Sequence, residues 1–239
     1  MTRWRPRLDP RFVDPFDLVR NAAQEAIVSR LASERTLARL CDAAVTCHGI
    51  LKTAHDQYAA LLPEGGELAC RKGCALCCHL LIRVRPMEGI LAATFAETSL
   101  PDAIRRAIRD AAFRRPVPCP FLQDETCTVY EVRPRVCRDY YSFDLDMCRA
   151  GKFCEITERE MKHRERSFDP VRHRSELHLL LGAAVAEGQE TACAKLGIDN
   201  RPTHMHALLR TLFTVPDAVS RWLNGGFSFP TWKAEDEPA

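Results

Sequence analysis

The stretch CRKGCALCCHLL, residues 70–81, places four cysteines within nine positions: Cys70, Cys74, Cys77 and Cys78. On a helix these spacings would put all four thiols on one face, where they could pack as small apolar side chains. However, Gly73 lies inside the run and disfavours a regular helix, and alanine or leucine would fill such a face equally well. The run therefore indicates a shared chemical role for the four thiols.

The rest of the composition is ordinary, apart from its content of sulfur. The 239 residues include 12 cysteines, and 34 basic against 32 acidic residues leave a net charge of +2. This balance gives no indication of a nucleic-acid partner. The N-terminus lacks the apolar run of a secretory signal, so we expect a cytoplasmic protein. In a reducing compartment, clustered thiols bind metal or do redox work more often than they form disulfides.

The spacing of apolar residues predicts a mainly α-helical protein. Asp14 and Pro15 begin a long helix, because an aspartate can cap it and a proline suits its first turn. A second helical pattern ends at PEGG, residues 63–66, and another runs from about Asp169 to Gly197. Two shorter helices are predicted after Gly197. The apolar stretch 177–186 is about half of the ~20 residues that a membrane span needs, so we expect no membrane contact.

The middle of the chain has a different pattern. Residues 119–130, CPFLQDETCTVY, have the pattern of two short strands about a polar turn. We therefore expect a helical domain with a small cysteine-rich metal-binding segment of short strands and turns. The predicted regions are an N-terminal helical hairpin at 1–64, a cysteine-cluster metal-binding region at 65–155, and C-terminal helices at 156–239 that pack on the same core.

A second, looser group of cysteines follows the first run. Three arginines surround one of them, Cys137, and positive charge favours the thiolate form that binds metal. Cys41, Cys47 and Cys193 stand apart in helical patterns and are expected to pack in the core. The second group consists of Cys119, Cys127, Cys137, Cys148 and Cys154.

The spacing leaves the identity of the metal open. Structural zinc sites prefer two closely spaced ligand pairs, and within the first run only Cys74 and Cys77 are separated by two residues. Three cysteines with gaps of three and two residues, completed by a distant fourth, are more typical of a cuboidal iron-sulfur cluster. Cys77 and Cys78 are adjacent and would point about 100° apart on a helix, so one of them could serve a second centre or a bridging position. His79 is a candidate to support the site.

Two separated motifs carry a resemblance to a known family. CRKGCALCC and the later CPFLQDETCTVYEVRPRVCRDYYSFDLDMC together resemble the YkgJ-type cysteine-cluster family, a zinc- or iron-chelating domain, over about residues 66–150. Some of its members are called flagellin lysine N-methylases, which implies an iron-sulfur-linked methyl transfer from S-adenosylmethionine. Spacing after Cys137 varies, so Cys154 could take the place of Cys148. The resemblance implies eight metal ligands: Cys70, Cys74, Cys77, Cys78, Cys119, Cys127, Cys137 and Cys148.

These observations favour a metal-binding protein that holds an iron-sulfur cluster or a zinc or iron centre through clustered thiolates. The alternative is a cluster-dependent enzyme acting on S-adenosylmethionine, such as a protein lysine N-methylase-like transferase. No catalytic or cofactor-binding residue can be assigned to that activity from the sequence. A nucleic-acid-binding role for the basic stretch 105–115 is disfavoured, because an acidic residue interrupts it and a solvated helix face explains it better.

Overall fold

The computed structural model describes residues 14–58, 68–114, 118–149 and 176–231. Its helices are α1 (Pro15–Leu31), α2 (Leu37–Tyr58), α3 (Pro86–Ser99), α4 (Asp102–Ala112), α5 (Arg135–Asp139), α6 (Leu145–Arg149), α7 (Glu176–Lys195), α8 (Met205–Thr214) and α9 (Ala218–Leu223). Its strands are β1 (Arg83–Val84), β2 (Leu122–Gln123), β3 (Thr126–Cys127) and β4 (Thr203–His204). Short 3₁₀ turns occur at Leu76–His79 and Tyr130–Val132. This mainly helical structure confirms the fold class predicted from the sequence.

Helix α1 begins where the sequence predicts it. The Asp14 side chain accepts a hydrogen bond from the backbone N–H of Phe16 at 2.9 Å, and Pro15 occupies the first turn. Apolar residues at intervals of three and four then form one buried stripe along the helix. Its members are Val19, Ala23, Ala26, Ile27 and Leu31.

Helix α7 lies directly against α1. A Cβ atom added to Gly188 would lie 2.3 Å from the backbone oxygen of Arg20 and 2.9 Å from the Cβ atom of Ala23. The two backbones therefore come together at a point that only glycine allows. Helix α2 packs on both of them, so that α1, α2 and α7 form one helical layer.

The described part of α7 agrees with the predicted long helix at its C-terminal end. The predicted start near Asp169 lies outside the described residues. The helix ends at Lys195, and Gly197 follows with a φ of +66°, a left-handed conformation that glycine adopts without steric cost.

Helix α3 is buried on nearly all sides, as expected of a helix that is apolar around its whole circumference. It packs against α2 and α8. A Cβ atom on Gly89 would lie 2.8 Å from the Leu208 side chain of α8 and 3.2 Å from the Val84 side chain. The one charged residue in this buried stretch is Glu88, which is 1% exposed.

Two small antiparallel strand pairs join the helices to the cysteine-rich segment. Strand β1 pairs with β4, with Arg83 opposite His204. Strand β2 pairs with β3, with Leu122 opposite Cys127, and this is the hairpin that the sequence predicts. Its turn consists of Asp124 and Glu125, whose φ angles are 46° and 54°. Two left-handed residues in succession suit a tight hairpin turn.

None of the helices in the described part of the chain has the length and apolar character that crossing a bilayer requires. The apolar stretch 177–186 lies within α7, where Leu181, Ala184 and Val185 are buried. These residues contribute to the helical core.

The close approach of α1 and α7 gives a testable prediction. Gly188→Ala should lower the free energy of unfolding by about 1–3 kcal/mol, because the new methyl group must push the two backbones apart. Gly49→Ala in α2 is the matched control: nothing lies within 4 Å of its added methyl group. That control should stabilise the protein by up to about 1 kcal/mol through helix propensity. Urea unfolding measures both, and equal effects would contradict the close packing.

A second prediction concerns acid sensitivity. His48 in α2 is 6% exposed, and burial, together with the charges of Arg138, Arg133 and Arg135, lowers its pKa to about 3. The unfolded chain binds a proton at His48 near pH 6.5, whereas the folded chain does not, so stability is lost as the pH falls below 6.5. Between pH 7 and pH 5 the loss from His48 alone should be about 2 kcal/mol.

Urea unfolding of the metal-free protein at both pH values tests this expectation. His55 and His206 also have lowered pKa values and add to this loss, whereas the raised pKa of Asp139 acts in the opposite direction, so the share of His48 has to be isolated with a variant. The variant His48→Gln should lose about 2 kcal/mol less than the wild type over the same pH interval. An identical loss in the two proteins would show that His48 does not contribute.

Candidate metal centre

A cavity of about 60 Å³ lies between the first cysteine run, the β2–β3 hairpin and α5. This volume exceeds the roughly 10–15 Å³ that a single water molecule needs. Apolar side chains, among them Phe121, Val129 and Met205, form part of its wall. Seven of the eight candidate cysteines also line it: Cys70, Cys74, Cys77, Cys78, Cys119, Cys127 and Cys137.

The eighth candidate, Cys148, lies close to this cavity without forming its wall. It is buried in α6, which packs against the turn Leu76–His79. Its charge contributes to the raised pKa of Cys70. Cys154, the proposed substitute for Cys148, lies outside the described residues.

The first cysteine run folds as turns, in place of a continuous helix. Gly73 has a φ of +90°, and the backbone N–H of Cys74 donates to the carbonyl of Arg71 at 3.0 Å. The 3₁₀ turn at Leu76–His79 follows. The alternative of a helical packing stripe is therefore wrong, and the adjacent Cys77 and Cys78 both face the same cavity.

Hydrogen bonds join the first run to the later cysteines. The N–H of Cys119 donates to the carbonyl of Cys78 at 2.7 Å, which ties the segment just before the β2–β3 hairpin to the 3₁₀ turn. The backbone N–H of Ser142 donates to the Cys70 sulfur at 3.2 Å. The N–H of Ala69 donates to the Ser142 carbonyl at 2.8 Å. Residues far apart in sequence are thus held at one cavity by the backbone itself.

Of the three arginines around Cys137, only Arg133 lines the cavity. Its guanidinium lies 3.8 Å from the Tyr130 ring centroid, and its charge acts to lower the pKa values of Cys127 and Cys137. Arg138 instead donates to the carbonyl of Arg133 at 2.8 Å, and Arg135 forms an ion pair with Asp139. The charge of Cys137 acts to raise the pKa of Arg138, so Arg133 and Arg138 both interact favourably with that thiolate, whereas Arg135 pairs with Asp139.

Burial controls the protonation of most of these thiols. It raises the pKa of Cys119 to about 12 and that of Cys137 well above its usual value, with the neighbouring thiolates adding to the effect on Cys137. Cys77 is the exception: a hydrogen bond from the Cys78 thiol lowers its pKa to about 7 and raises that of Cys78. A metal that binds here at neutral pH must displace protons from several thiols.

The thiols interact electrostatically as two overlapping groups. Besides burial, the charges of Cys74, Cys148 and Cys77 raise the pKa of Cys70. Besides burial, the charges of Cys77, Cys119 and Cys127 raise the pKa of Cys137. Cys77 is common to both groups.

The donor set fits a thiophilic metal, since soft thiolates select zinc and iron-sulfur clusters. As placed, no three His, Cys, Asp or Glu side chains of the described residues are close enough together to hold one ion. The sulfur atoms are distributed over the cavity wall.

Other residues singled out in the sequence lie elsewhere. His79 is exposed and its Nε2 lies 3.2 Å from Glu125, outside the cavity wall. Cys41, Cys47 and Cys193 are part of, or pack against, the hydrophobic core. The sequence analysis did not single out Glu88, a residue of α3 whose carboxylate accepts a hydrogen bond from the first residue of α5. The sequence feature that could have indicated it is a single acidic residue within the apolar stretch at the start of α3.

Residues 69–167 match the family model CxxCxxCC, described as a putative zinc- or iron-chelating domain. The match spans about two fifths of the chain and contains all eight candidate cysteines. It indicates a zinc- or iron-chelating function for this segment, and the YkgJ type stays a prediction. No curated protein and no solved structure shows a significant match to the chain.

The chelating segment should have one unusually reactive thiol. In the reduced, metal-free protein, limiting iodoacetamide at pH 7 should modify Cys77 first, because a thiolate is the nucleophile and the pKa of Cys77 is about 7. The rate of modification, followed by peptide mass spectrometry, should be half-maximal near pH 7. In Cys78→Ala the hydrogen-bond donor is gone, so that midpoint should move upward. A midpoint near the ordinary cysteine pKa in the wild type would contradict this assignment.

Proposed function

We propose that the chain holds a polynuclear metal centre, an iron-sulfur cluster or a zinc or iron thiolate centre, in the cysteine-lined cavity. The observation that carries this proposal is that seven candidate cysteines line one cavity. The proposed ligands are Cys70, Cys74, Cys77, Cys78, Cys119, Cys127, Cys137 and Cys148.

The number of thiols favours more than one metal atom. A structural zinc ion takes four ligands in a tetrahedron, and one cuboidal cluster is held by four cysteines. Seven thiols around one cavity exceed either requirement. The two overlapping groups of thiols support a centre in which Cys77 is shared and serves as the bridge.

The protein residues have distinct tasks in this proposal. The backbone N–H of Ser142 stabilises the Cys70 thiolate, and Arg133 adds positive charge beside Cys127 and Cys137. Apolar side chains such as Phe121 limit access of water. A bound centre supplies cross-links between segments that are far apart in sequence, and iron in it would add the capacity to exchange an electron.

An enzyme that acts on S-adenosylmethionine is a different function, and no described residue is assigned to that molecule. We therefore propose metal binding alone.

The deciding experiment is anaerobic purification followed by an optical spectrum and by iron, zinc and acid-labile sulfide analysis of the same sample. Broad visible absorbance with matching iron and sulfide would establish a cluster. A colourless protein with more than one zinc per chain would establish a polynuclear thiolate centre. A protein that binds neither metal after anaerobic reconstitution would refute the proposal.

Cysteine variants test the ligand assignment. Cys77→Ser should lose more metal than Cys74→Ser, because the charge of Cys77 acts on both Cys70 and Cys137. Cys41→Ser is the matched control, since Cys41 lies outside the cavity wall and should keep full metal content. Equal metal content in Cys77→Ser and Cys41→Ser would contradict the assignment. Metal content per chain and thermal unfolding are measured together, because lost metal should also lower stability.

A further inference from the structure

A buried polar cluster lies behind the cysteine cavity, between α3, α5 and α7. Its members Glu88, Asp139 and Gln189 are 1%, 2% and 0% exposed. Burying carboxylates and an amide is costly unless hydrogen bonds replace their contacts with water. Hydrogen bonds and ion pairs within the cluster must therefore compensate for the burial of these polar groups.

The Glu88 carboxylate connects three helices. One oxygen accepts a hydrogen bond from the backbone N–H of Arg135 at 3.1 Å. The other accepts one from Nε2 of Gln189 at 2.9 Å. Arg135 is the first residue of α5, and the preceding Pro134 provides no side-chain cap. A residue 47 positions earlier in the sequence thus takes the role that a local capping side chain usually has.

The other end of α5 is also fixed by α7. Asp139, its last residue, forms an ion pair with Arg135. A Cβ atom added to Gly182 of α7 would lie 2.0 Å from the Asp139 carboxyl carbon, so no larger residue fits beside it. With only five residues, α5 is far too short to be stable without such contacts.

Cys137 is the middle residue of α5. Its position at the cavity therefore depends on how the two ends of this short helix are held. We propose that Glu88, oriented by Gln189, is a positioning residue of the metal centre, which fixes α5 so that Cys137 faces the metal. This inference rests on the metal-binding function proposed above.

The experiment compares metal release from the anaerobically metal-loaded protein to an excess of chelator. Glu88→Leu keeps the volume and removes the acceptor of the Arg135 N–H, so metal should leave roughly 10–100-fold faster, as for other residues that orient metal ligands. Far-UV circular dichroism should stay unchanged. The thiolate-to-metal absorption band should also shift, because Cys137 changes its position relative to the metal.

Two further variants separate positioning from mere loss of stability. Glu88→Gln should release metal at close to the wild-type rate, since its amide oxygen can accept from Arg135 and Gln189 can turn its own oxygen towards the new amide. That Gln189 oxygen has no hydrogen-bond partner among the described residues. Glu97→Leu, on the more exposed part of the same helix, is the matched control and should behave as the wild type.

The outcomes distinguish this inference from the proposed function. A wild type that binds no metal would overturn both. A wild type that binds metal, with the same release rate and spectrum in Glu88→Leu as in Glu97→Leu, would overturn the positioning role alone. If Glu88→Leu does not fold, Gln189→Leu decides: it keeps the carboxylate but removes the amide that orients it. Metal release several-fold faster than in the wild type is expected there, and an unchanged rate would overturn the role of Glu88.

Discussion

Seven thiols that face one cavity cannot all ionise unless positive charge shares the space with them. Burial removes the water that would stabilise each thiolate, and every ionised sulfur raises the pKa of its neighbours. Two arginines in the wall, Arg71 and Arg133, supply two positive charges, fewer than the seven thiols could carry as thiolates. The remaining compensation has to come from protons or from metal, and these two compete for the same sulfur atoms. The chemistry of the segment follows from this competition.

The helical layers give this cavity a rigid support. Helices α1, α2 and α7 pack together, and Gly188 lets the backbones of α1 and α7 come close to each other. Helix α3 lies inside the core and carries Glu88 to the back of the cysteine-rich segment. The segment itself consists of turns, two-residue strands and five-residue helices, which have little stability of their own. Its geometry is therefore set by backbone hydrogen bonds between its own parts and by the buried polar cluster behind it.

The sequence predicted those features that depend on local signals. Asp14 and Pro15 mark the start of α1, Gly197 marks the end of α7, and the polar turn at 124–125 marks the β2–β3 hairpin. Each depends on a residue whose backbone or capping preference acts over a few positions. The cysteine spacing was equally informative, since it indicated that the thiols act together.

Features that depend on distant contacts could not be predicted in this way. Nothing in the spacing shows that Glu88 caps α5, because the two lie 47 residues apart and meet only through the packing of α3. The arginines near Cys137 look equivalent in sequence, yet Arg138 donates to backbone carbonyls and Arg135 pairs with Asp139. Their roles are decided by the direction in which a five-residue helix points, and tertiary contacts set that direction.

The contact between Asp139 and Gly182 also bears on the order of events during synthesis. All eight candidate cysteines leave the ribosome before Gly182 does, because the chain emerges from its N-terminal end. Until α7 has emerged, nothing holds Asp139 from that side, and α5 lacks one of its two supports. The thiols therefore pass through a period in which they are accessible but not yet arranged. The arrangement of α5 described here therefore depends on a helix that is synthesised after all eight of these cysteines.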